Sequence, residues 1–187
     1  MEIITDRLLI RELKPEDEEA FIGMASDGSL TDIFGDCRNC RQWMGGWIRE
    51  ARALCEAGDP FRDYLAYALE TREDHVVIGS VGSTYYEDAG QVGVTNFIGA
   101  ACRGRGYMTE ALRAFAAHLL RTYPLEALCA TVRAANPASG RVLEKAGFLH
   151  TGTRPYQDLH DSREELYHFY RLTRDLLLEK GGTPWDL

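Results

Sequence analysis

The sequence has no apolar run that approaches the roughly 20 residues needed to cross a membrane. Its opening residues, Met-Glu-Ile-Ile-Thr-Asp-Arg, lack the basic-then-apolar pattern of a secretory signal. These two absences argue against membrane-spanning and exported proteins. We therefore expect a cytoplasmic protein with no membrane partner.

Positive charge is also scarce. The chain has 21 lysine and arginine residues against 29 aspartates and glutamates, which gives a net charge of −8. A broad basic face of the kind that binds nucleic acid is therefore not expected. Eighteen of the 21 basic residues are arginine. A local anion site is thus more plausible than a general basic surface.

Metal ligands are sparse as well. Cys37-Arg-Asn-Cys40 has the spacing of a zinc or redox pair, but no second Cys-x-x-Cys or histidine pair accompanies it. The five cysteines are an odd number, and a cytoplasmic setting would keep them reduced. We therefore expect no metal site and interpret Cys37 and Cys40 as loop cysteines.

What the chain does have is the composition of an ordinary globular domain. Its 187 residues, 45% of them hydrophobic and 27% charged, fit one domain spanning residues 1–187.

Apolar alternation predicts strands, and helical spacing of apolar residues predicts helices. The predicted strands are 2–13 (with Ile4, Leu8 and Ile10 on one face), 64–71, 76–86, 92–98, 127–132, 148–157 and 164–172. The predicted helices are 15–26, 41–57, 106–122 and 137–146, with a loop at 27–39.

The order of these elements predicts an α+β fold. Segments 64–86 and 148–172 are typical of antiparallel hairpins, whereas 92–132 is strand–helix–strand, which requires a parallel crossover. We therefore predict a mixed, mostly antiparallel central sheet with helices on both faces.

A glycine turn opens the helix of that crossover. Arg103-Gly-Arg-Gly-Tyr-Met-Thr-Glu places two glycines between a strand and an amphipathic helix. Glycine lets the backbone aim its N–H groups at a ligand, and a helix start favours an anion such as phosphate. A plain structural turn explains the spacing equally well. A dinucleotide fingerprint is not favoured, because Thr109 stands where a third glycine is needed, and the Gly-Lys-Ser/Thr of a P-loop is missing.

The second segment is Asn136-Pro-Ala-Ser-Gly-Arg-Val-Leu-Glu-Lys-Ala-Gly-Phe148. Asn136 and the following proline are favoured at a helix start, and Gly147 is favoured just past a helix end. A capped helix therefore explains this segment without any function. It does not explain why the segment follows the glycine turn at this distance.

Together the two segments resemble the GNAT superfamily of acetyl-CoA-dependent N-acetyltransferases. The branch that the chain is most similar to is the ribosomal-protein-alanine (RimJ/RimL-type) acetyltransferases. The opening Thr5-Asp-Arg-Leu-Leu-Ile-Arg-Glu-Leu and the closing Gly152-Thr-Arg-Pro-Tyr156 also match that branch. The resemblance covers nearly the whole chain and implies the GNAT fold.

The resemblance also implies which residues hold acetyl-CoA. Backbone amides of the glycine turn would hold the pyrophosphate. Phe97 and Ile98 would pair with the pantetheine arm, and Asn136 would donate or accept a hydrogen bond with that arm. Ser139 would lie near the sulfur. The turn residues concerned are Arg103, Gly104, Arg105, Gly106, Tyr107, Met108 and Thr109.

The chain departs from the family pattern around this site. Gly93 takes the place of the usual strand carboxylate, and Met108 fills a position that is usually small. A candidate general base therefore has to come from elsewhere, and Glu87 and Asp88, just before the core strand, are nearest in sequence. A bound water or an amine that arrives already deprotonated is the alternative.

The predicted function is transfer of acetyl from acetyl-CoA to a primary amine by direct attack, with Ser139 protonating the leaving thiolate. One alternative is a catalytically weak or inactive GNAT-fold protein that binds coenzyme A as a sensor or partner module. Another is a protein that shares only the fold and uses a different acyl donor or no cofactor. The resemblance implies that the last hairpin borders the acceptor cleft, so its cluster of acidic residues predicts a cationic acceptor such as a protein N-terminus or a small amine. The alternative is that these acids only solvate a loop. Those acids are Asp158, Asp161, Glu164 and Glu165. A homodimer stays open.

Overall fold

An eight-stranded sheet forms the frame of the computed structural model, which describes residues 1–34, 37–87, 89–158 and 161–179. The strand order is β1-β2-β3-β4-β5-β6-β8-β7. The strands are β1 (Glu2–Ile4), β2 (Leu8–Glu12), β3 (Leu65–Thr71), β4 (Val77–Tyr86), β5 (Gln91–Ile98), β6 (Ala127–Arg133), β7 (Leu149–Tyr156) and β8 (Glu165–Thr173). The helices of the described residues are α1 (Glu18–Ser26), α2 (Thr31–Phe34), α3 (Cys40–Ala57), α4 (Tyr107–Thr122), α5 (Pro137–Ala146) and α6 (Arg174–Glu179).

The sheet is mixed and mostly antiparallel. Neighbouring strands pair antiparallel throughout, except that β5 and β6 run parallel and are connected through α4. A parallel pair needs such a crossover, because its second strand must begin at the same end as the first. The α+β prediction is confirmed.

Helices cover both faces of this sheet. Val81, Val92 and Val94 point to the face that carries α4 and α5, where Phe115 is fully buried. On the other face, residues such as Phe97 pack against α1 and α3. Alternate residues of one strand point to opposite faces, so each of these strands contributes to both cores.

The predicted first strand, residues 2–13, is wrong as one continuous strand. It is a hairpin, because Thr5 turns the chain: its N–H donates to the carbonyl of Leu8 at 2.9 Å, and its Oγ1 accepts from the Leu8 N–H at 2.9 Å. Leu8 and Ile10 are fully buried, whereas Ile4 is 59% exposed. A side chain that bonds its own backbone competes with strand pairing, and apolar alternation does not reveal this.

Two further predictions need correction. The predicted loop 27–39 contains α2 and a 3-10 turn at Cys37–Asn39, while residues 35 and 36 lie outside the described residues. The short α6 directly follows β8 and was not predicted. The predicted helix 15–26 is a 3-10 turn at Pro15–Asp17 followed by α1. The other predicted elements agree with the observed ones to within one or two residues.

A buried ionic network attaches the start of α1 to the sheet. The Arg11 guanidinium donates to Oδ1 and Oδ2 of Asp17, each at 2.8 Å, and to Oε2 of Glu70 at 2.6 Å. All three residues are buried, and the second oxygen of Glu70 lies 2.9 Å from Nδ1 of His75. Buried charges need such paired partners.

No helix of the described residues has both the length and the apolar character to cross a membrane.

Candidate active site

A cavity of about 440 Å³ opens between the end of β5, the glycine turn and the start of α5. It therefore brings together the two segments that the sequence analysis singled out, although they lie some thirty residues apart. Its lining residues are Ser29, Leu30, Ile33, Asn96, Phe97, Ile98, Cys102, Arg103, Gly104, Gly106, Tyr107, Met108, Thr109, Asn136, Ala138, Ser139, Arg141, Val142 and Lys145.

The cavity exists because β5 and β6 separate. Gly93 and Cys129 are the one register pair between them in the described chain. The Gly99 N–H donates to the Ile78 carbonyl of β4 at 2.9 Å. Backbone groups of successive residues in an antiparallel strand point to alternate sides, so those of Asn96 and Ile98 point away from β4, toward the gap.

The same alternation of backbone directions contradicts the predicted pairing of Phe97 with the pantetheine arm. Phe97 is in register with Ser80 and directs its backbone groups to β4, and its ring is packed in the core against Phe21 and Phe34. Of the predicted pair, Ile98 alone directs its backbone N–H and C=O toward the gap, and its C=O already accepts one hydrogen bond from the Arg103 side chain.

The glycine turn presents a set of backbone donors. Gly104 and Gly106 have φ of +75° and +81°, values that L side chains rarely adopt. The N–H groups of residues 104–109 donate to no partner within the described part of the chain. The N–H of Arg103 is an exception among the predicted residues, because it donates to the Ala100 carbonyl at 3.2 Å. The row of N–H groups without a partner thus begins at residue 104.

The Arg103 side chain has a different role. Its Nε donates to the Ile98 carbonyl at 3.3 Å, and its Nη2 donates to the Ser29 carbonyl at 3.1 Å. This guanidinium therefore connects the end of β5 to the segment between α1 and α2. It closes one side of the cavity.

The first turn of α5 forms the opposite side. Asn136 caps the helix, since its Oδ1 accepts from the Ser139 N–H at 3.2 Å. The structural explanation of Asn136 thus holds, yet the residue also lines the cavity. The Ser139 side chain is half-buried, and its Oγ donates to no group in the described residues. Arg141 and Lys145, which line the cavity from the same helix, were not predicted, although their i, i+4 spacing after the cap was a usable signal.

Comparison with known proteins identifies the family of this chain. Residues 7–149 match the family model described as an acetyltransferase (GNAT) domain. The chain belongs to the GNAT acetyltransferase family. No curated protein sequence matches it.

Solved structures of GNAT proteins share the fold. They include an acetyltransferase (GNAT family) from Bacillus anthracis, with 19% identity, a TM-score of 0.79, and coverage of 94% of this chain and 99% of that one. RimL, the ribosomal L7/L12 alpha-N-protein acetyltransferase solved with coenzyme A, has 14% identity, a TM-score of 0.79, and coverage of 94% and 99%. Microcin C7 self-immunity acetyltransferase MccE, solved with acetyl-CoA and AMP, has 12% identity, a TM-score of 0.75, and coverage of 90% and 93%. At these identities the likeness establishes the fold.

Gly93 stands where the GNAT pattern has a carboxylate, and the structure gives a steric reason. A Cβ added to Gly93 would lie 2.4 Å from Cε2 of Tyr86 and 3.3 Å from the carbonyl oxygen of Cys129. The Tyr86 ring therefore fills the space that a side chain would need. The Tyr86 hydroxyl lies 3.4 Å from Oγ1 of Thr131, and burial raises the pKa of its phenol. This phenol is protonated at neutral pH, so it can donate a hydrogen bond but cannot act as a base.

Glu87, the predicted general base, does not reach the cavity. Glu87 is exposed in the turn between β4 and β5, at the opposite end of β5 from Ile98. Seven residues of strand separate Ile98 from Gln91, which corresponds to about 20 Å. The prediction that Glu87 is the general base is therefore wrong for this cavity. Asp88, the other candidate, lies outside the described residues. Proximity in sequence misled here because the strand runs away from the cavity.

The acidic residues of the last hairpin are partly neutralised. Asp161 accepts a hydrogen bond from the Tyr167 hydroxyl at 2.6 Å and forms an ion pair with Arg133. The Nε of Arg163 lies 3.6 Å from Glu165. The hairpin is therefore less negative than its count of acids indicates.

The cysteine pair lies away from this site. Both cysteines are buried, Cys37 in the 3-10 turn before α3 and Cys40 as the first residue of α3, so the prediction of loop cysteines is wrong. Within the described ranges, no group of three or more His, Cys, Asp or Glu side chains is arranged to hold a metal ion.

Proposed function

We propose that this protein transfers the acetyl group of acetyl-CoA to a primary amine by direct attack of the amine on the thioester. The observation that carries the proposal is the row of unpartnered N–H groups at 104–109, which lies beside a gap between β5 and β6. Family membership supports acetyl transfer, and acetyl-CoA is the co-substrate that the site fits.

The amide row suits the pyrophosphate of acetyl-CoA. Backbone N–H groups at the start of α4, together with the positive end of its helix dipole, stabilise an anion without a dedicated basic side chain. Arg141 and Lys145 add positive charge at the cavity rim. This local positive field in a chain of net charge −8 favours a phosphorylated ligand here over other surfaces.

The gap between β5 and β6 suits the rest of the molecule. An extended amide-containing arm can pair with the outward-facing backbone of Ile98 as a further strand would. When the amine attacks, negative charge develops on the thioester oxygen, and a fixed N–H donor in the gap would stabilise it. The N–H of Ile98 or of Asn96 is suitably oriented for this role.

Ser139 is the residue that we assign to the departing thiolate. Its hydroxyl has no partner in the described chain and lines the cavity from α5. A hydroxyl held there can donate a proton to sulfur as the carbon–sulfur bond breaks. Asn136 keeps Ser139 in place through the helix cap.

The attacking amine must lose a proton without help from a carboxylate of the cavity. The lining residues include no aspartate or glutamate among those described. Amines have pKa values of roughly 8–10.4, so the reactive neutral form becomes more abundant as the pH rises. We therefore expect the rate to increase with pH up to the pKa of the acceptor itself.

The acceptor class is also a proposal. A protein N-terminus or a cationic small amine is favoured by the net negative charge of the chain. RimL is described as an alpha-N-protein acetyltransferase, which supports the N-terminal option. A cytoplasmic setting and a homodimer stay predictions.

The test is release of free coenzyme A thiol with a panel of amines: a peptide with a free N-terminus, a polyamine, an amino sugar and a small amino acid. The same amines with their nitrogen already acetylated are the control. Thiol release that requires the free amine, with acetylated product in equal amount, supports the enzyme. Binding of acetyl-CoA without turnover of any amine would support the alternative, a coenzyme A-binding module. Absence of binding would refute both.

A further inference from the structure

Arg7 and Glu110 form a clamp between the turn after β1 and the first turn of α4. The Arg7 Nε and Nη2 approach Oε2 of Glu110 at 2.7 and 2.6 Å. The Arg7 N–H donates to Oε1 at 2.9 Å, and the Thr5 hydroxyl donates to the same oxygen at 2.6 Å. Four donors therefore converge on one carboxylate across more than 100 residues of sequence.

The Glu110 carboxylate is held in its ionised form. Burial acts to raise the pKa of Glu110, but the hydrogen bonds from Thr5 and Arg7 outweigh it and lower the pKa below its ordinary value. An anionic side chain in the first turn of α4 also complements the helix dipole. The clamp thus keeps the guanidinium of Arg7 in one orientation.

That orientation brings Arg7 to the glycine turn. Its Nη1 donates to the carbonyl oxygen of Arg105 at 2.9 Å, and its guanidinium lies 4.6 Å from the centre of the Tyr107 ring. A Cβ added to Gly106 would lie 3.5 Å from Nη2 of Arg7. Arg7 therefore packs against the outer side of the turn, and it is not among the residues that line the cavity.

The contact with Arg105 determines the direction of the next N–H. The peptide between Arg105 and Gly106 is planar and trans, so its C=O and N–H point in opposite directions. With the carbonyl held toward Arg7, the Gly106 N–H points away from Arg7. Glycine on both sides of Arg105 would otherwise leave this peptide free to rotate, because glycine accepts many backbone conformations.

We propose that Arg7 is a positioning residue for the co-substrate: by holding the Arg105 carbonyl outward, it directs the Gly106 N–H toward the pyrophosphate of acetyl-CoA. The proposal rests on the proposed function, since it assigns the amide row to that pyrophosphate. Arg7 acts through the backbone and does not contact the ligand.

The test compares two acetyl donors. Arg7→Met keeps an unbranched side chain against Tyr107 but removes every side-chain donor, while the backbone N–H that donates to Glu110 stays. With acetyl-CoA, we expect KM to rise about tenfold, as for loss of one hydrogen bond to a charged group, with kcat nearly unchanged. With S-acetylpantetheine, which lacks the pyrophosphate, we expect no change in KM. Arg41→Met is the matched control, because it removes another arginine–glutamate pair, with Glu19, that is exposed and does not line the cavity.

Two further variants separate positioning from simple charge. Arg7→Lys keeps the positive charge but lacks the forked donors that reach Glu110 and Arg105 together, so it should behave like Arg7→Met. Glu110→Gln preserves the shape of the clamp and should give a smaller increase in KM for acetyl-CoA. Full rescue by lysine, or an equal loss with S-acetylpantetheine, would overturn the proposal. If the wild-type protein does not bind acetyl-CoA, the proposed function itself fails. If the wild-type protein binds acetyl-CoA and Arg7→Met binds it equally well, only the positioning role of Arg7 fails.

Discussion

Gly93 lies where β5 meets β6, and its replacement by alanine tests the steric explanation for the missing carboxylate. The added Cβ would lie 2.4 Å from a ring carbon of Tyr86, so the ring must move. Overpacking of this kind costs about 1–3 kcal/mol, and alanine in place of glycine in a strand offsets roughly 0.5–1 kcal/mol. We expect Gly93→Ala to lower the free energy of unfolding by about 1–2 kcal/mol.

The assay is denaturant unfolding of Gly93→Ala, Tyr86→Ala and the double variant. Removal of the ring relieves the clash, so the double variant should be more stable than the sum of the single changes implies, by about 1–2 kcal/mol. Gly152→Ala is the matched control in β7, because a Cβ at that position meets no atom within 4 Å. It should be neutral or stabilising. A neutral Gly93→Ala, or additive effects of the two changes, would refute the explanation.

Three other predictions concern the site, the core and the acceptor. Ser139→Ala should lower kcat by roughly 10²–10⁴-fold while nearly keeping the KM for acetyl-CoA and changing stability by well under ~1 kcal/mol; unchanged turnover would leave Ser139 with a structural role. The pKa of Glu70 is lowered below its ordinary value of 4.5. Burial alone would raise it, but the hydrogen bonds from His75 and Arg11 outweigh the effect of burial. The stability that Glu70 contributes should therefore be complete above pH ~4.5 and lost as the pH falls through the lower folded-state pKa; equal acid sensitivity in Glu70→Gln would contradict this. If the net negative charge steers a cationic acceptor, kcat/KM should fall with added salt, because the screening length is ~8 Å at physiological ionic strength; a rate indifferent to salt would refute the steering.

The parts of the fold that could be predicted have local causes. Residues 137–146 form a helix with the predicted bounds, because proline and an asparagine cap define its start and Gly147, at φ +107°, defines its end. The parallel crossover followed from the same kind of signal, a strand, a glycine turn and an amphipathic helix in sequence. The cavity between the two segments follows from that topology.

The remaining features depend on residues that meet only after folding. The side chain that fills the space above Gly93 comes from β4, and the partners of Arg11 come from the turn just before α1 and from β3. The clamp joins Arg7 to Glu110 across the whole first half of the chain. No periodicity in the sequence marks such pairs, since each is set by strand register and by the angle at which a helix packs.

Glu87 illustrates the same limit for the site. It lies close to the core strand in sequence, yet the direction of β5 takes it to the end opposite the cavity. The amide cradle is the converse case, because the two glycines already indicated that backbone groups, rather than side chains, would face a ligand. The positive φ values of Gly104 and Gly106 agree with the predicted turn, and ligand binding there stays a prediction.

A crystal structure with coenzyme A tests the central claim most directly. The account predicts pyrophosphate oxygens within about 3 Å of backbone nitrogens of residues 104–109, the pantetheine arm beside Ile98 and the sulfur near Ser139. Coenzyme A bound at another surface, or bound in the cavity with its pyrophosphate facing solvent, would contradict it.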